Sequence, residues 1–523
     1  MNWLKEFNTT GICIPEKHYM ADTSLMVKEI ANNLVDKGKY FVINRGRQYG
    51  KTTTLNLLNR MLNQKYLVIE LSFEAVDDYF ISLFQFVNGI VLDIADVLHR
   101  EHVDENIIGK WETPVKEDLP LRQLGRKITE LCERMEREVI LIVDEVDKSS
   151  DNQIFLSFLG LLRDKYLKSV SGKDTTFKSV ILAGVYDIKN MRLKLREEEE
   201  HKYNSPWNIA VPFELDMSLS TAQIASMLQE YETDYYTGMN IEQLSQELYY
   251  YTSGYPFLVS CLCKKIDEQK QEWTIQSVRN AVRDLLKEKN TLFDDVIKNI
   301  QNNKDFSDLT EQILLNGAQV TFDIHNPVID LGVMFGIYTN RQGKVAVSNV
   351  IFETLILNYF TTIKFTSAIV RSDYVIKEQY VQAGRLNMEY VLKQFSAFLR
   401  AEYRDEDAGF IEQQGRLLFL SFLRPIINGT GHYAVEPQTR QNNRMDIQVF
   451  YGNDEFIVEL KIWHGVKYEE KGYDQLVDYL EARQVKKGYL LSFCENSKRP
   501  QADRIFKHRG HDICEVIVVY REK

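Results

Sequence analysis

The first 217 residues contain five short runs rich in Val, Ile and Leu, and helical periodicity fills most of the sequence between them. The runs are KYFVINR (39–45), YLVIELSF (66–73), EVILIVDEV (138–146), KSVILAG (178–184) and IAVPFEL (209–215). A strand that is apolar on both faces must be covered on both faces, and strands separated by helices usually pair in parallel. The pattern therefore predicts an α/β fold built on a parallel sheet.

The pattern changes further along the chain. After Ser218 it becomes helical, with an interruption at the turn SGYP, and two short apolar runs around NRQG then suggest a β-wing. From about residue 380, helices lead into a second set of strands. We predict an α/β domain, a helical lid, a winged-helix-like domain and a second α/β domain, at 1–217, 218–288, 289–365 and 380–523.

Composition excludes several classes of protein. The chain has 523 residues, a formal net charge of −11 and 44% hydrophobic residues, which is typical of a folded protein. The acidity argues against indiscriminate coating of nucleic acid, but it does not exclude a local basic groove. The 6 cysteines lack C-x2-C spacing, and the sequence shows no leader or long apolar segment. These features predict a soluble cytoplasmic protein that does not enter a membrane.

The loop after the first strand has the residues of a phosphate-binding loop. Gly50, Lys51 and Thr52 stand where a strand gives way to a helix, and the free N–H groups at a helix start attract anions. Lys51 would reach the β- and γ-phosphates, and Thr52 would hold Mg²⁺ through its hydroxyl. The usual G-x4-G-K-[ST] spacing needs glycine at position 45, where this chain has Arg45. The match is therefore partial.

Two acidic residues complete the predicted nucleotide site. Asp144 ends an apolar strand, where its carboxylate would join the Mg²⁺ shell, and Glu145 follows, where it would polarise the attacking water. A charged strand end at the surface is the alternative interpretation. Taken with the loop, these residues predict binding of ATP and Mg²⁺ at Gly50–Thr53, Asp144 and Glu145, with Thr53 among the nucleotide-binding residues.

The run RGRQYGKTTTLNLL resembles the R-P-R-R-F-G-K-T loop of the AAA-ATPase-like family of P-loop NTPases. Gly46 replaces the proline of that pattern and Gln48 replaces one of its arginines. The matching residues are Arg45, Arg47, Tyr49, Gly50, Lys51 and Thr52. The resemblance implies an ATPase and adds Arg47 to the expected nucleotide-binding residues.

Two further segments extend this resemblance over roughly residues 1–360. GICIPEKHYMAD is similar to the N-terminal segment of that family, which implies that Tyr19 lies near the adenine. SGYPFLV resembles the G-Y-P turn of related signal-transduction ATPases that have a helical lid and a winged helix.

A second group of charged residues lies near the C-terminus. Asp446, Glu459 and Lys461 have the spacing D-x12-E-x-K, on two strand patterns joined by the turn YGND. Alternation along a strand places Glu459 and Lys461 on one face, and antiparallel pairing brings Asp446 beside them. Asp446 and Glu459 would bind Mg²⁺, while Lys461 positions or assists a water that attacks a phosphate.

A hairpin with a solvated polar face is the alternative interpretation of these residues. The apolar run FIVELKIW around Glu459 and Lys461 argues against it, because burying an unpaired charge costs several kcal/mol.

The arrangement resembles the PD-(D/E)xK nuclease superfamily over about residues 400–495. Asp446, Glu459 and Lys461 match its core motif. Its early acidic residue and its Q-x3-Y helix are matched by Glu412 or Glu436, and by Gln475 with Tyr479. The resemblance implies a metal-dependent nuclease domain, although some members of the superfamily have lost cleavage.

The segment from Arg483 to Arg509 is basic. It contains eight basic and two acidic residues, a local balance of +6. The segment follows the predicted catalytic strands, so it would hold a phosphate backbone near the metal. A solvated basic face is the alternative.

Together these patterns predict an ATPase coupled to a Mg²⁺-dependent nuclease that acts on nucleic acid, DNA more than RNA. A role in defence or mobile-element biology follows by analogy only, and a homo-oligomer is compatible with the sequence. The alternative is a nucleotide-dependent switch or scaffold whose C-terminal domain binds nucleic acid or protein without cleaving it.

Overall fold

The computed structural model describes residues 5–146, 153–185, 207–314, 318–365, 377–402, 412–427, 430–435, 447–462, 466–494 and 503–519. The chain forms two compact units and passes between them several times. The first unit consists of Met1–Ser245, Gly254–Lys264 and Met334–Gly336, and the second of Gln246–Ser253, Lys265–Val333 and Ile337–Lys523.

The helices of the described residues are as follows. They are α1 Ser24–Ile30, α2 Lys51–Leu62, α3 Leu83–Arg100, α4 Glu105–Glu112, α5 Pro120–Arg134, α6 Gln153–Val170, α7 Thr221–Tyr235, α8 Ile241–Thr252, α9 Pro256–Glu268, α10 Ile275–Leu285, α11 Thr291–Asn302, α12 Lys304–Leu314, α13 Pro327–Met334, α14 Val350–Phe365, α15 Lys377–Tyr380, α16 Met388–Glu402, α17 Glu412–Ile427 and α18 Val466–Arg483.

The strands are fewer and shorter. They are β1 Tyr40–Asn44, β2 Leu67–Ser72, β3 Val139–Asp144, β4 Ser179–Gly184, β5 Tyr338–Arg341, β6 Lys344–Val347, β7 Val381–Gln382, β8 Arg385–Leu386, β9 Gly431–Val435, β10 Ile447–Tyr451, β11 Asp454–Ile462, β12 Lys487–Cys494, β13 Arg504–His508 and β14 His511–Val519.

The first unit is built on a parallel sheet with the strand order β1-β4-β3-β2. Successive residues of each strand enter different cores. Tyr40 and Val42 pack into one core, whereas Phe41 and Ile43 pack into the core on the opposite face. Helices cover both faces, which is why these strands are apolar on both sides. The predicted parallel α/β fold is confirmed.

The fifth apolar run forms one β-bridge instead of a strand. Val211 pairs with Phe41, and the Val211 N–H donates to the Tyr40 carbonyl at 2.9 Å. Pro212 follows directly and has no N–H to continue a ladder. The prediction of a full strand over 209–215 is therefore wrong.

The second unit contains the predicted wing. β5 and β6 form an antiparallel hairpin whose two turn residues, Gln342 and Gly343, have φ values of 53° and 79°. Positive φ at both central positions is typical of the tight turn that matches strand twist.

A six-stranded sheet forms the C-terminal part of the second unit, in the order β13-β14-β12-β11-β10-β9. β11, β12 and β14 run parallel, and the other neighbouring pairs are antiparallel. This sheet confirms the second α/β fold. The sequence did not indicate β13, because most of its residues are exposed and RIFKH has no continuous apolar run.

Helix α18 covers the middle of this sheet. Leu476 and Leu480 of the helix share a core with Ile457 of β11, Leu490 of β12 and Ile513 of β14. The helix therefore lies on the face of β11 that carries the odd-numbered residues.

His432 of β9 makes the second unit sensitive to acid. Burial, together with Arg279 and Arg283, lowers the pKa of this imidazole to about 3, and its ring stacks on Phe450 at 4.8 Å. The native state keeps His432 neutral, whereas the unfolded chain takes up a proton below about pH 6.5. Stability should fall as the pH drops from 6.5 towards 3, with about 2 kcal/mol lost by pH 5 through this group.

The variant His432→Phe should lose less stability between pH 7 and pH 5 than the wild type, because it keeps the ring and removes the titration. Urea unfolding at both pH values measures the difference. Equal losses in the two proteins would contradict the assignment.

Candidate nucleotide and nuclease sites

The loop between β1 and α2 has the backbone of an anion site. Gly50 precedes α2 with a φ of 81°, in the left-handed region that glycine adopts without strain. Gln48 is also left-handed, with a φ of 55°. The helix begins at Lys51, so its first N–H groups face the loop.

Two distant segments of the first unit pack against this loop. A Cβ at Gly46 would lie 2.8 Å from the carbonyl oxygen of Phe335, so only glycine fits there. The Tyr255 hydroxyl donates to the carbonyl of Arg47, and its ring meets Tyr49 edge-on at 4.6 Å. No local sequence pattern predicts either contact, because both segments are far from the loop along the chain.

Lys51 is almost fully buried, with 8% of its surface exposed. Its ammonium donates to the carbonyls of Arg45 and Gly46, at 2.9 and 3.0 Å. The positive charge therefore lies inside the curve of the loop, where a phosphate group would replace the two carbonyls as its acceptor.

Thr52 and Asp144 come together as the sequence predicts. The Thr52 hydroxyl donates to Asp144 Oδ2 at 2.9 Å, and Asp144 is only 5% exposed. The other oxygen, Oδ1, accepts from the N–H of Glu145 at 2.9 Å. A hydroxyl and a carboxylate at this separation form the kind of oxygen donor set that Mg²⁺ prefers.

Glu145 has an unusual backbone conformation. Its φ is 55°, which costs a non-glycine residue free energy and is concentrated at functional sites. It lies directly after β3 and is half-buried.

The remaining predicted residues of the loop have other surroundings. The Arg45 guanidinium donates to the Leu215 carbonyl at 2.7 Å and lies over a phenylalanine ring, and burial lowers its pKa. Arg47 is exposed. The Thr53 hydroxyl accepts from the N–H of Cys13 at 3.1 Å, which ties the N-terminal segment to α2.

Tyr19 is buried, and its hydroxyl donates to Asp234 at 2.8 Å. The residues that follow it, Met20 and Ala21, line a cavity of about 300 Å³ together with Leu57 and Met61 of α2. Leu57 is four residues beyond Thr53, or about 6 Å along the helix axis. The cavity therefore opens beside the helix that starts at the phosphate loop.

Glu459 and Lys461 lie on the same face of β11, as strand alternation predicts. Glu459 is fully buried, and the Lys461 ammonium lies 2.9 Å from its Oε1 atom. Lys461 is partly exposed, so the pair reaches from the core to the surface. The lysine beside it offsets part of the cost of burying the carboxylate.

Helix α18 passes over this pair. A Cβ at Gly472 would meet the Lys461 side chain at 3.6 Å. In the next turn, the Gln475 amide donates to the Tyr479 hydroxyl, so the two residues of the predicted Q-x3-Y pattern contact each other.

Three predicted acidic groups cannot be placed. Asp446 and Glu436 lie outside the described residues, as does the side chain of Glu412. β10 begins at Ile447, the residue after Asp446, and Ile447 pairs with Val458 of β11. Among the described residues, no group of three or more His, Cys, Asp or Glu side chains has the arrangement of a metal site.

The structure adds a second buried carboxylate, which the sequence analysis missed. Glu515 of β14 is fully buried and accepts from Tyr473 at 3.0 Å and from the Arg504 guanidinium at 2.8 Å. Ser492, whose hydroxyl also donates to Glu515, is the β12 neighbour of Lys461. The sequence does contain a signal for it, because Glu515 is a charged residue inside the apolar run CEVIVVY.

Much of the predicted basic segment is paired within the second unit. Arg483, Arg504 and Arg509 each form ion pairs with carboxylates. Lys487 and Lys507 also pair, with Glu389 and Asp512. Lys498 and Arg499 lie outside the described residues. The balance of +6 was counted within residues 483–509 alone. It therefore did not include the acidic residues elsewhere in the chain that pair with this segment.

Residues 433–505 match the family model of the PD-(D/E)XK nuclease superfamily. This segment includes β10, β11, α18 and β12, and the predicted resemblance of the C-terminal domain is thereby confirmed. No curated protein sequence matches the chain significantly.

Solved structures resemble the chain over about two thirds of its length. The Walker-type ATPase of Pyrococcus abyssi is 12% identical, with a TM-score of 0.42, and the match covers 67% of this chain and 99% of that one. The ORC1 protein of Aeropyrum pernix, solved in complex with DNA, is 12% identical with a TM-score of 0.29, covering 65% and 93%. The ORC2 protein of that organism is 10% identical with a TM-score of 0.31, covering 64% and 93%.

Within the described ranges, no helix has the length and apolarity required to cross a bilayer.

The variant Gly46→Ala tests the packing of the loop. Its Cβ would displace the Phe335 carbonyl, so we expect a loss of about 1–3 kcal/mol in unfolding free energy. Gly109→Ala is the matched control, because that helical site is open and alanine should stabilise it by about 0.5–1 kcal/mol. Thermal melting compares them, and an unchanged Tm in Gly46→Ala would refute the contact.

Proposed function

We propose that the protein binds and hydrolyses ATP at the loop of its first unit and cleaves nucleic acid at the PD-(D/E)XK segment of its second unit. DNA is the preferred substrate. The observation that carries the nucleotide half is the 2.9 Å contact between Thr52 and Asp144 beside a buried Lys51.

ATP would bind with its phosphates along the loop. The N–H groups at the start of α2 donate to phosphate oxygens, and the Lys51 ammonium exchanges its two carbonyl acceptors for the β- and γ-phosphates. Thr52 and Asp144 would hold Mg²⁺, which would supply positive charge to offset that of the γ-phosphate. Glu145 orients the attacking water and accepts its proton.

The adenine base would enter the cavity lined by Ala21, Leu57 and Met61. The lining is mixed, because Lys5, Asp22 and Glu230 also contribute to it. The volume suits a purine ring, and the distance along α2 is within the length of a nucleotide. Tyr19 directly precedes Met20 of this lining, its ring is buried, and its hydroxyl donates to Asp234.

Phosphodiester cleavage is the proposed chemistry of the second unit. Glu459 and Asp446 would hold Mg²⁺, which would supply Lewis-acid activation of a water for attack on the phosphodiester. Lys461 would orient that water and stabilise the charge of the transition state from its position beside Glu459. Strand β11 fixes the position of the buried Glu459 carboxylate.

One observation favours the second candidate, a nucleotide-dependent switch that binds without cleaving. Five basic residues of the predicted phosphate-contacting segment are paired with carboxylates, which reduces the charge available to a nucleic-acid backbone. Cleavage assays decide between the two functions.

The cysteines are consistent with a cytoplasmic location. All 6 are free, and each is buried or half-buried, as expected in a reducing compartment.

Lys51→Ala should weaken ATP binding about tenfold to hundredfold, because the variant loses a charged hydrogen bond to phosphate. Isothermal titration with a non-hydrolysable ATP analogue and Mg²⁺ measures the affinity. Lys37→Ala, an exposed lysine of the same unit, is the control and should bind as the wild type does. Equal affinity of Lys51→Ala and wild type would mean that the loop does not hold phosphate.

Lys461→Ala should reduce Mg²⁺-dependent cleavage of DNA by about a hundredfold or more and leave ATP affinity unchanged. Cleavage of labelled single- and double-stranded DNA and RNA, with Mg²⁺ or Mn²⁺ and with and without ATP, measures the activity. Lys393→Ala, an exposed lysine of α16, is the control.

Absence of cleavage by the wild type on every substrate would reject the nuclease half and favour the switch. Full activity of Lys461→Ala would reject the assigned role of Lys461.

A further inference from the structure

Helix α8 lies where the chain crosses between the two units. Gln246–Ser253, which includes the C-terminal half of the helix, packs within the second unit, and Gly254–Lys264 packs within the first. The helix and the SGYP turn after it are therefore one continuous piece of chain with its ends held in different units.

The turn is held at the phosphate loop. A Cβ at Gly254 would lie 2.0 Å from the Leu219 carbonyl, and the Leu219 N–H donates to the Gly254 carbonyl at 2.8 Å. The next residue, Tyr255, donates its hydroxyl to the Arg47 carbonyl inside the loop. Movement of residues 45–47 must therefore be accommodated by this turn.

The C-terminal half of the helix is held at the six-stranded sheet of the second unit. The Tyr250 hydroxyl donates to the Gln448 side chain of β10 at 2.7 Å, and the Gln448 amide donates in turn to Glu455 of β11. The adjacent Tyr251 is fully buried against Phe450 of β10.

A buried group of charges strengthens this attachment. Arg279 of α10 donates to Glu247 of α8 at 3.1 Å and lies 3.2 Å from Glu455. Arg483 of α18 donates to the same Glu455 at 2.9 Å. All four side chains are largely buried, so removing one partner would leave an uncompensated buried charge, and the pairs hold α8, α10, α18 and β11 together.

Glu455 and Glu459 belong to the same strand. They are four residues apart on one face of β11, or about 13 Å along the strand, with Ile457 between them in the α18 core. Because both residues lie on one strand, a shift of Glu455 would also move the Glu459 carboxylate, which is proposed to hold the metal of the nuclease site.

We propose that α8 transmits the state of the nucleotide site to the nuclease site, with Tyr250 and Arg279 acting as positioning residues for β11. This inference rests on the proposed function. The loop is where nucleotide would act: the Lys51 ammonium donates to the carbonyls of Arg45 and Gly46, and a phosphate bound to Lys51 would compete with these carbonyls as acceptor. The carbonyl of the next residue, Arg47, accepts the hydrogen bond from the Tyr255 hydroxyl.

Hydrogen–deuterium exchange of the full chain, with and without a non-hydrolysable ATP analogue and Mg²⁺, tests this link. In the wild type, nucleotide should change the exchange rates of peptides from α8 and from β11. Arg279→Met should abolish the change in β11 and retain the change at the phosphate loop. Tyr250→Phe, which removes one hydroxyl and no volume, should reduce the change in β11.

Tyr249→Phe is the matched control, because it removes a hydroxyl from a half-exposed neighbour on the same helix. It should respond as the wild type does. Thermal melting checks that Arg279→Met is folded, and Tyr250→Phe provides the test if that variant is not.

The possible results distinguish failure of this link, the coupling of the two sites through α8, from failure of the proposed function. If nucleotide binds and alters exchange at the loop but not in β11, the link is wrong while the nucleotide site stands. A full β11 response in both variants also overturns the link. If nucleotide does not bind at all, the proposed function fails and the link fails with it. Where the wild type cleaves nucleic acid, the same variants should lose the dependence of cleavage on nucleotide.

Discussion

Parallel pairing of β1, β4 and β3 is the constraint on which the proposed nucleotide site depends. Each of these strands is apolar on both faces, so helices must cover both faces of the sheet, and the polar residues can only follow the strand ends. Parallel strands bring their C-terminal ends to one edge. Thr52, after β1, and Asp144, at the end of β3, therefore meet at 2.9 Å although 92 positions separate them in sequence.

The second unit depends on a different constraint, the cost of burying charge. Glu459, Glu515 and Glu455 all lie within apolar strands, and each has a cationic neighbour, namely Lys461, Arg504, and Arg279 with Arg483. Two of these pairs organise the sheet and its helices. The pair of Glu459 and Lys461 differs, because the lysine reaches the surface where a substrate could approach it. Burial thus fixes the Glu459 carboxylate, and the partial exposure of Lys461 leaves its ammonium accessible from the surface.

Local patterns in the sequence predicted most of the sheets but few of the contacts between distant segments. Four apolar runs became β1–β4, and strand alternation correctly placed Glu459 and Lys461 on one face. The fifth run failed because Pro212 stops the ladder, and β13 was missed because an exposed edge strand needs no apolar run. Tyr255 and Arg47 are 208 positions apart, and Tyr250 and Gln448 are 198 apart. Such contacts depend on tertiary packing, and no periodicity or local motif encodes them.

We propose that one chain carries two separate metal-dependent phosphate sites. Crystals grown with Mn²⁺ and a non-hydrolysable ATP analogue would show both metals by anomalous scattering. We expect one anomalous peak between Thr52 and Asp144, beside the γ-phosphate, and a second at the Glu459 carboxylate. A peak at the first position alone would contradict the nuclease assignment. The absence of density at both positions, with nucleotide bound elsewhere, would contradict the whole account.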